Sequence, residues 1–196
     1  MTDSVKPATY PSGRQVEIVW GDQRAWIVEV GGGLRAYSAR GRELLDGYGA
    51  DEMCSSARGQ CLVPWPNRIR DGRYAFAGLQ QQLPLTEPER RNAIHGLTRW
   101  ANWTIAEQTV DRVSMEYLLH PQPGYPHALL LTIGYRLYAG GLTVRTTATN
   151  VGASPGPYGE GAHPHLTAVT PRVDPVVSQA PRPPRPTTAH PGRAPG

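Results

Sequence analysis

The sequence predicts an all-β protein built as an antiparallel β-sandwich. Three observations point there. Runs of strand length, rich in Val, Ile, Leu, Thr, Tyr and Trp, recur along the chain. The 22 Gly and 20 Pro punctuate these runs and argue against a helical bundle. No apolar heptad is sustained, which excludes a coiled coil.

The runs follow in order. Residues 16–20 (VEIVW) are one run and residues 24–30 (RAWIVEV) a second, which runs into Gly31-Gly32-Gly33. Residues 34–38 (LRAYS) leave that bend. Residues 44–54 form a short loop turn at most. Residues 73–77 (RYAFA) end at Gly78, and residues 81–85 (QQLPL) resume after it. Residues 102–109, 112–120, 129–138 and 142–150 complete the set. The clearest hairpin is YRLYA, Gly140-Gly141, LTVRTTAT, which reads as strand, tight turn, strand. On its second strand Leu142, Val144, Thr146 and Ala148 share one face. Residues 171–196 hold 8 of the 20 prolines. Since proline cannot donate to a ladder, no central strand is expected beyond about residue 178. The predicted organisation is a sandwich over 1–178 and a Pro/Arg-rich tail over 179–196, either disordered or translated out of frame.

Composition narrows the function. The 196 residues suit one domain with a tail, and 39% hydrophobic against 18% charged residues is too apolar for disorder. The net charge of +4 comes mainly from the tail. A nearly neutral body is not a nucleic-acid surface. Cys54 and Cys61 fit no zinc spacing and read as free thiols of a reducing compartment. The start MTDSVKPATY has no apolar secretory core, and no run is long enough to span a bilayer. The expectation is a cytoplasmic protein with no membrane and no nucleic-acid partner.

Neither nucleotide nor metal motifs account for the sequence. Gly31-Gly32-Gly33 lacks the pattern of a phosphate-binding loop and reads as a bend between strands. His163-Pro164-His165 is not read as a metal site, because no HExxH helix is present and neighbouring strand residues point to opposite faces. Two segments remain. One runs from Pro64-Trp65-Pro66-Asn67-Arg68-Ile69 through Gly72, Tyr74, Phe76 and Gly78 to Asn92-Ala93-Ile94-His95-Gly96, Trp100 and Trp103. The other is Pro157-Tyr158-Gly159-Glu160-Gly161-Ala162-His163-Pro164-His165-Leu166. Each sets a histidine among aromatic or amide side chains. A sugar site needs that mixture: rings cover the apolar C–H face, and polar groups bond the hydroxyls.

The segments NRIRDGRYAFAG and NAIHG with Trp100, followed later by GAHPHL, resemble the aldose 1-epimerase (galactose mutarotase) family. The likeness covers about residues 10–177. It implies the family's galactose mutarotase-like supersandwich. It also implies an isomerase that interconverts the α and β anomers of hexoses such as galactose or glucose. On the resemblance, His163 is the general acid at the ring oxygen, and His95 hydrogen-bonds and polarises the same region. Arg68 binds sugar hydroxyls, with Asn67 shaping the site. Neither metal nor organic cofactor is implied; the partner is a small sugar. In that family the general base is a glutamate well beyond the second histidine, whereas Glu160 is the last glutamate here. His165 stands where the family usually has an aromatic residue. The chain therefore reads as the first part of such a domain, truncated or frameshifted after about residue 179, with sheet edges left uncovered. Two other readings follow. Arg70, Arg73, Arg90 and Arg91 suit a sugar-phosphate epimerase acting on hexose 6-phosphates. The missing glutamate suits a non-catalytic carbohydrate-binding protein or a decayed remnant.

Overall fold

The computed structural model describes residues 9–167. The tail over 179–196 and its boundary near residue 178 lie outside the described residues. In chain order the strands are β1 (Gln15–Trp20), β2 (Gln23–Val28), β3 (Leu34–Ala39), β4 (Arg42–Glu43), β5 (Cys61–Leu62), β6 (Arg68–Arg70) and β7 (Arg73–Phe76). They continue with β8 (Leu79–Gln82), β9 (Asn92–Ile94), β10 (Thr104–Gln108), β11 (Arg112–Leu119), β12 (Leu129–Tyr138), β13 (Gly141–Asn150) and β14 (Gly161–Ala162). A single 3₁₀ turn, Pro88–Arg90, precedes β9, and there is no α-helix among the described residues. No helix there is long and apolar enough to cross a membrane.

Two four-stranded antiparallel sheets, β1-β2-β3-β4 and β10-β11-β12-β13, face one another, with β1 packed on β11 and β12. The alternation in the sequence explains which sides meet. On β12 every second side chain (Leu129, Leu131, Ile133, Tyr135 and Leu137) is buried, and Val16, Ile18, Ala25 and Ile27 answer from the first sheet. Full burial of each such aliphatic side chain stabilises the fold by about 1.5–3 kcal/mol. The buried Tyr135 hydroxyl donates to the Gly32 carbonyl at 2.7 Å, which ties the second sheet to the glycine bend. That bend needs its glycines: Gly32 has φ +59°, and a Cβ there would lie 2.9 Å from the Trp103 indole.

Three local expectations change. The strand after Gly78 begins at Leu79 and stops at Gln82, earlier than residues 81–85. Ala77 and Gly78 both have positive φ, so they form a two-residue turn that pairs Phe76 directly with Leu79. The long hairpin turns at Ala139-Gly140 instead, because Gly141 already pairs with Tyr138. On β13, Leu142, Thr146 and Ala148 are half-buried as the alternation requires, but Val144 is 49% exposed. β13 is the outermost strand of its sheet among the described residues, so cover over its inner face is partial.

Candidate functional site

One segment carries the site. Its first part, ending in β5, pairs with β14: Leu62 faces Gly161 and Cys61 faces Ala162. This ladder continues past β14, since the His163 N–H donates to the Gln60 carbonyl (3.1 Å) and the Gly59 N–H donates to the His163 carbonyl (2.9 Å). Its later part, β6, pairs with β9, where Arg68 faces Ile94 and Arg70 faces Asn92. Just outside that ladder the His95 N–H donates to the Asn67 carbonyl at 2.8 Å. Both histidine-bearing stretches are thus strapped to residues 59–70. The two imidazoles meet edge to face, with centroids 5.3 Å apart and an interplanar angle of 88°.

Asn67 and His95 both adopt left-handed backbone conformations (φ 57° and 62°). Asparagine and histidine tolerate this region better than most residues, and such conformations concentrate at functional sites. The next residue, Gly96, has φ +72° and lies against the Val63 backbone, where a Cβ would fall 2.9 Å from the Val63 nitrogen. The Leu97 N–H donates to the Val63 carbonyl at 2.8 Å and locks this close approach.

The protonation of His95 follows from its partner. Its Nδ1 accepts the backbone N–H of Asn67 at 3.1 Å. An N–H can only donate, so the proton of neutral His95 sits on Nε2. Burial, then the charges of Arg99, His163 and Arg68, hold its pKa below the ordinary histidine value; Glu87 opposes them. The result is a neutral ring with one N–H to offer.

His163 and His165 also come together. His165 Nε2 lies 2.9 Å from His163 Nδ1, with ring centroids 4.8 Å apart. This corrects the expectation that the two would point apart. They are two residues apart, not adjacent, and the backbone leaves β14 at Ala162 before reaching either. Among the described residues no group of three or more His, Cys, Asp or Glu side chains is arranged to hold a metal ion.

Arg68 is clamped. Its Nε and Nη2 donate to the two carboxylate oxygens of Glu87 at 2.6 and 2.8 Å, and its Nη1 donates to Asn67 Oδ1 at 3.2 Å. Asn92 Nδ2 adds a bond to Glu87 at 3.0 Å. These hydrogen bonds, Arg68 first, pull the Glu87 carboxyl from its ordinary value to about 2. With its side chain only 13% exposed, Glu87 holds Arg68 beside Asn67 in a fixed pose.

The surroundings divide into two cavities. Trp65, Tyr74, Tyr125 and Tyr158 line an apolar one of about 210 Å³ with Pro64 and Gly159. A more open one of about 550 Å³ is lined by Arg68, Arg70, Arg90, Arg91, Asp71 and Asn92. Arg73 is not in it; it bonds Gln82 across the β7–β8 hairpin. Trp103 is not near the site either, being buried under Gly32, while Trp100 is exposed. Cys54 and Cys61 are free, buried thiols, and burial pushes the pKa of both up.

Sequence reasoning missed Glu87, Arg99 and the contact made by His165. Glu87 lies 19 positions from Arg68 in a loop with no recognisable pattern. Arg99 is half-buried, makes no salt bridge among the described residues, and has its pKa lowered by burial. Its place between His95 and Trp100 was the one available signal.

The family model for aldose 1-epimerase matches residues 15–169. The uncharacterized protein YihR of Escherichia coli K12 is 40% identical over 171 residues, covering 87% of this chain and 56% of YihR. A galactose mutarotase-like protein from Clostridium acetobutylicum superposes with a TM-score of 0.70 at 21% identity, over 78% of this chain and 50% of that one. A GalM/aldose epimerase homologue from C. elegans gives 0.69 at 18%, over 79% and 50%. The chain therefore spans about half the length of the proteins it resembles. The match over residues 15–169 takes in both histidine segments and both sheets, and by it this chain belongs to the aldose 1-epimerase family.

Proposed function

We propose that the chain binds an aldohexose at the His95–His163 pair and interconverts its anomers by proton transfer. The observation that supports this most is the meeting of two imidazoles, delivered by separate segments, beside a clamped arginine and an amide. In this reading a base takes the proton of the anomeric hydroxyl while the His163 imidazolium gives its Nε2 proton to the ring oxygen. The bond between C1 and the ring oxygen breaks, leaving an open aldehyde. The aldehyde turns about C1–C2, and the reverse transfers close the ring on its other face. Imidazole suits the task because its pKa lies near neutrality. His95 supplies its Nε2–H to the oxygen where charge develops. Arg68 and Asn67 bond ring hydroxyls.

Among the described residues, the carboxylate beside the His163 segment is Glu160, which accepts the Tyr158 hydroxyl at 2.6 Å; in this reading it, or a water molecule, takes the proton. Lack of a well-placed base costs roughly 10²–10⁴-fold in rate. Polarimetry of freshly dissolved α-D-galactose and α-D-glucose tests the proposal. Acceleration over buffer that is lost in both His95→Ala and His163→Ala is expected. No acceleration by folded protein that still binds the sugar would leave a carbohydrate-binding role instead.

One observation favours a second substrate class. The cavity lined by Arg68, Arg70, Arg90 and Arg91 adjoins Asn67 along β6 and carries more positive than negative charge. It suits the phosphate of a hexose 6-phosphate. A preference for the phosphorylated over the free sugar in the same assay, reduced in Arg70→Gln, is the expected sign.

A further inference from the structure

The contact between His165 and His163 has no part in the mechanism above. His163 has two ring nitrogens with different surroundings. Nδ1 lies 2.9 Å from His165 Nε2, whereas Nε2 has no protein hydrogen-bond partner among the described residues. Only one proton can lie between the facing nitrogens of two neutral rings, so one ring donates and the other accepts. The choice sets which nitrogen of His163 changes its protonation.

The two arrangements differ chemically. If His165 donates, neutral His163 carries its proton on Nε2. It could then act as an acid only by becoming an imidazolate, which lies far outside neutral pH. If His163 donates from Nδ1, its Nε2 alone loses and regains a proton, and the ring passes between imidazolium and neutral imidazole. A hydrogen bond held on one nitrogen thus fixes the tautomer and leaves the other nitrogen free for exchange.

We propose that His165 is a positioning residue: its Nε2 accepts the Nδ1–H of His163 in both protonation states, so that only His163 Nε2 exchanges a proton. His165 keeps its own proton on Nδ1. The arrangement is held from the backbone as well, since the His165 carbonyl accepts the Asp46 N–H at 2.8 Å and Pro164 stiffens the link between the two rings. Among the described residues, His95 also meets His163, on its edge. The charges that reach His95 are those of Arg99, Arg68 and Glu87. Asp46 itself is paired with Arg58 at 3.2 Å. The proposal rests on the acid role given to His163 above, but its test does not need turnover.

Long-range ¹H–¹⁵N NMR of the histidine rings reads the tautomer directly. In the full chain with His163 neutral, the expected spectrum has a protonated Nδ1 and an unprotonated Nε2. In His165→Phe, which cannot accept, His163 is expected to move to the Nε2–H form. In His165→Gln, whose amide oxygen can accept, the Nδ1–H form should return. An Nε2–H tautomer of His163 in the unsubstituted chain would overturn the proposal without any variant. So would an unchanged Nδ1–H tautomer in folded His165→Phe. If the tautomer is as expected but polarimetry shows no mutarotation, the enzymatic reading fails and the positioning contact stands.

Discussion

Gly96→Ala is the substitution in which backbone geometry and site geometry meet. Two costs add. The residue has φ +72°, and an L side chain in that region costs about 1–2 kcal/mol. The new methyl would also fall 2.9 Å from the Val63 nitrogen, with the Val63 carbonyl group nearer still. Carbon packs at about 3.5–4.0 Å, so the backbone must open on the order of an ångström. It cannot open freely, because the Leu97 N–H is bonded to the same carbonyl. Overpacking of this kind adds about 1–3 kcal/mol. The total is roughly 2–5 kcal/mol, or a fall in Tm of roughly 5–20 °C for a domain of this size. Gly21→Ala separates the two costs: Gly21 has φ +56° but nothing lies within 4 Å of its Cβ position, so only the conformational cost of about 1–2 kcal/mol applies. Urea and thermal denaturation of both variants, followed by circular dichroism, provide the assay. His95 is adjacent, so residual mutarotation by Gly96→Ala should fall by about 10²-fold, the usual cost of an ångström of misplacement. Equal Tm values for the two variants would refute the clash argument.

Further predictions follow from single contacts. Leu131→Ala, at a fully buried position in the middle of β12, should cost about 2–5 kcal/mol in urea denaturation. Tyr135→Phe leaves the buried Gly32 carbonyl without its donor and should cost about 1–3 kcal/mol. The Glu87 carboxyl titrates near 2 when folded and near its ordinary value when unfolded. Its contribution to stability is therefore in place above about pH 4.5 and is lost as the pH falls through 2. Acid titration of Tm should show that limb flattened in Glu87→Gln. Cys54 and Cys61, buried with raised pKa values, should resist alkylation at neutral pH until the chain is unfolded.

The two sheets were legible because their information is local. Alternation on residues 129–138 names the buried side of β12, and the glycines at 31–33 mark the bend. The resemblance carried by NRI, NAIHG and GAHPHL named Asn67, Arg68, His95 and His163, and the fold brings these stretches to one place. What stayed hidden depends on distant or irregular backbone. Nothing in TEPERRN announces that Glu87 reaches back to Arg68. The His165 contact was misread because the rule for adjacent strand residues was applied to residues two apart, which share a face. Val144 fits the pattern of its face but lies on an edge strand, where alternation alone does not decide burial.

The central claim is that His95 and His163 line one sugar site. The most direct test is a titration of D-galactose into the chain, with all six histidines followed by ¹H–¹⁵N NMR. The account predicts that His95 and His163 shift along one common saturation curve. The exposed His120 and the buried His127 should stay in place. A saturable response confined to His120 or His127, or none at His95 and His163 at sugar concentrations that produce mutarotation, would contradict it.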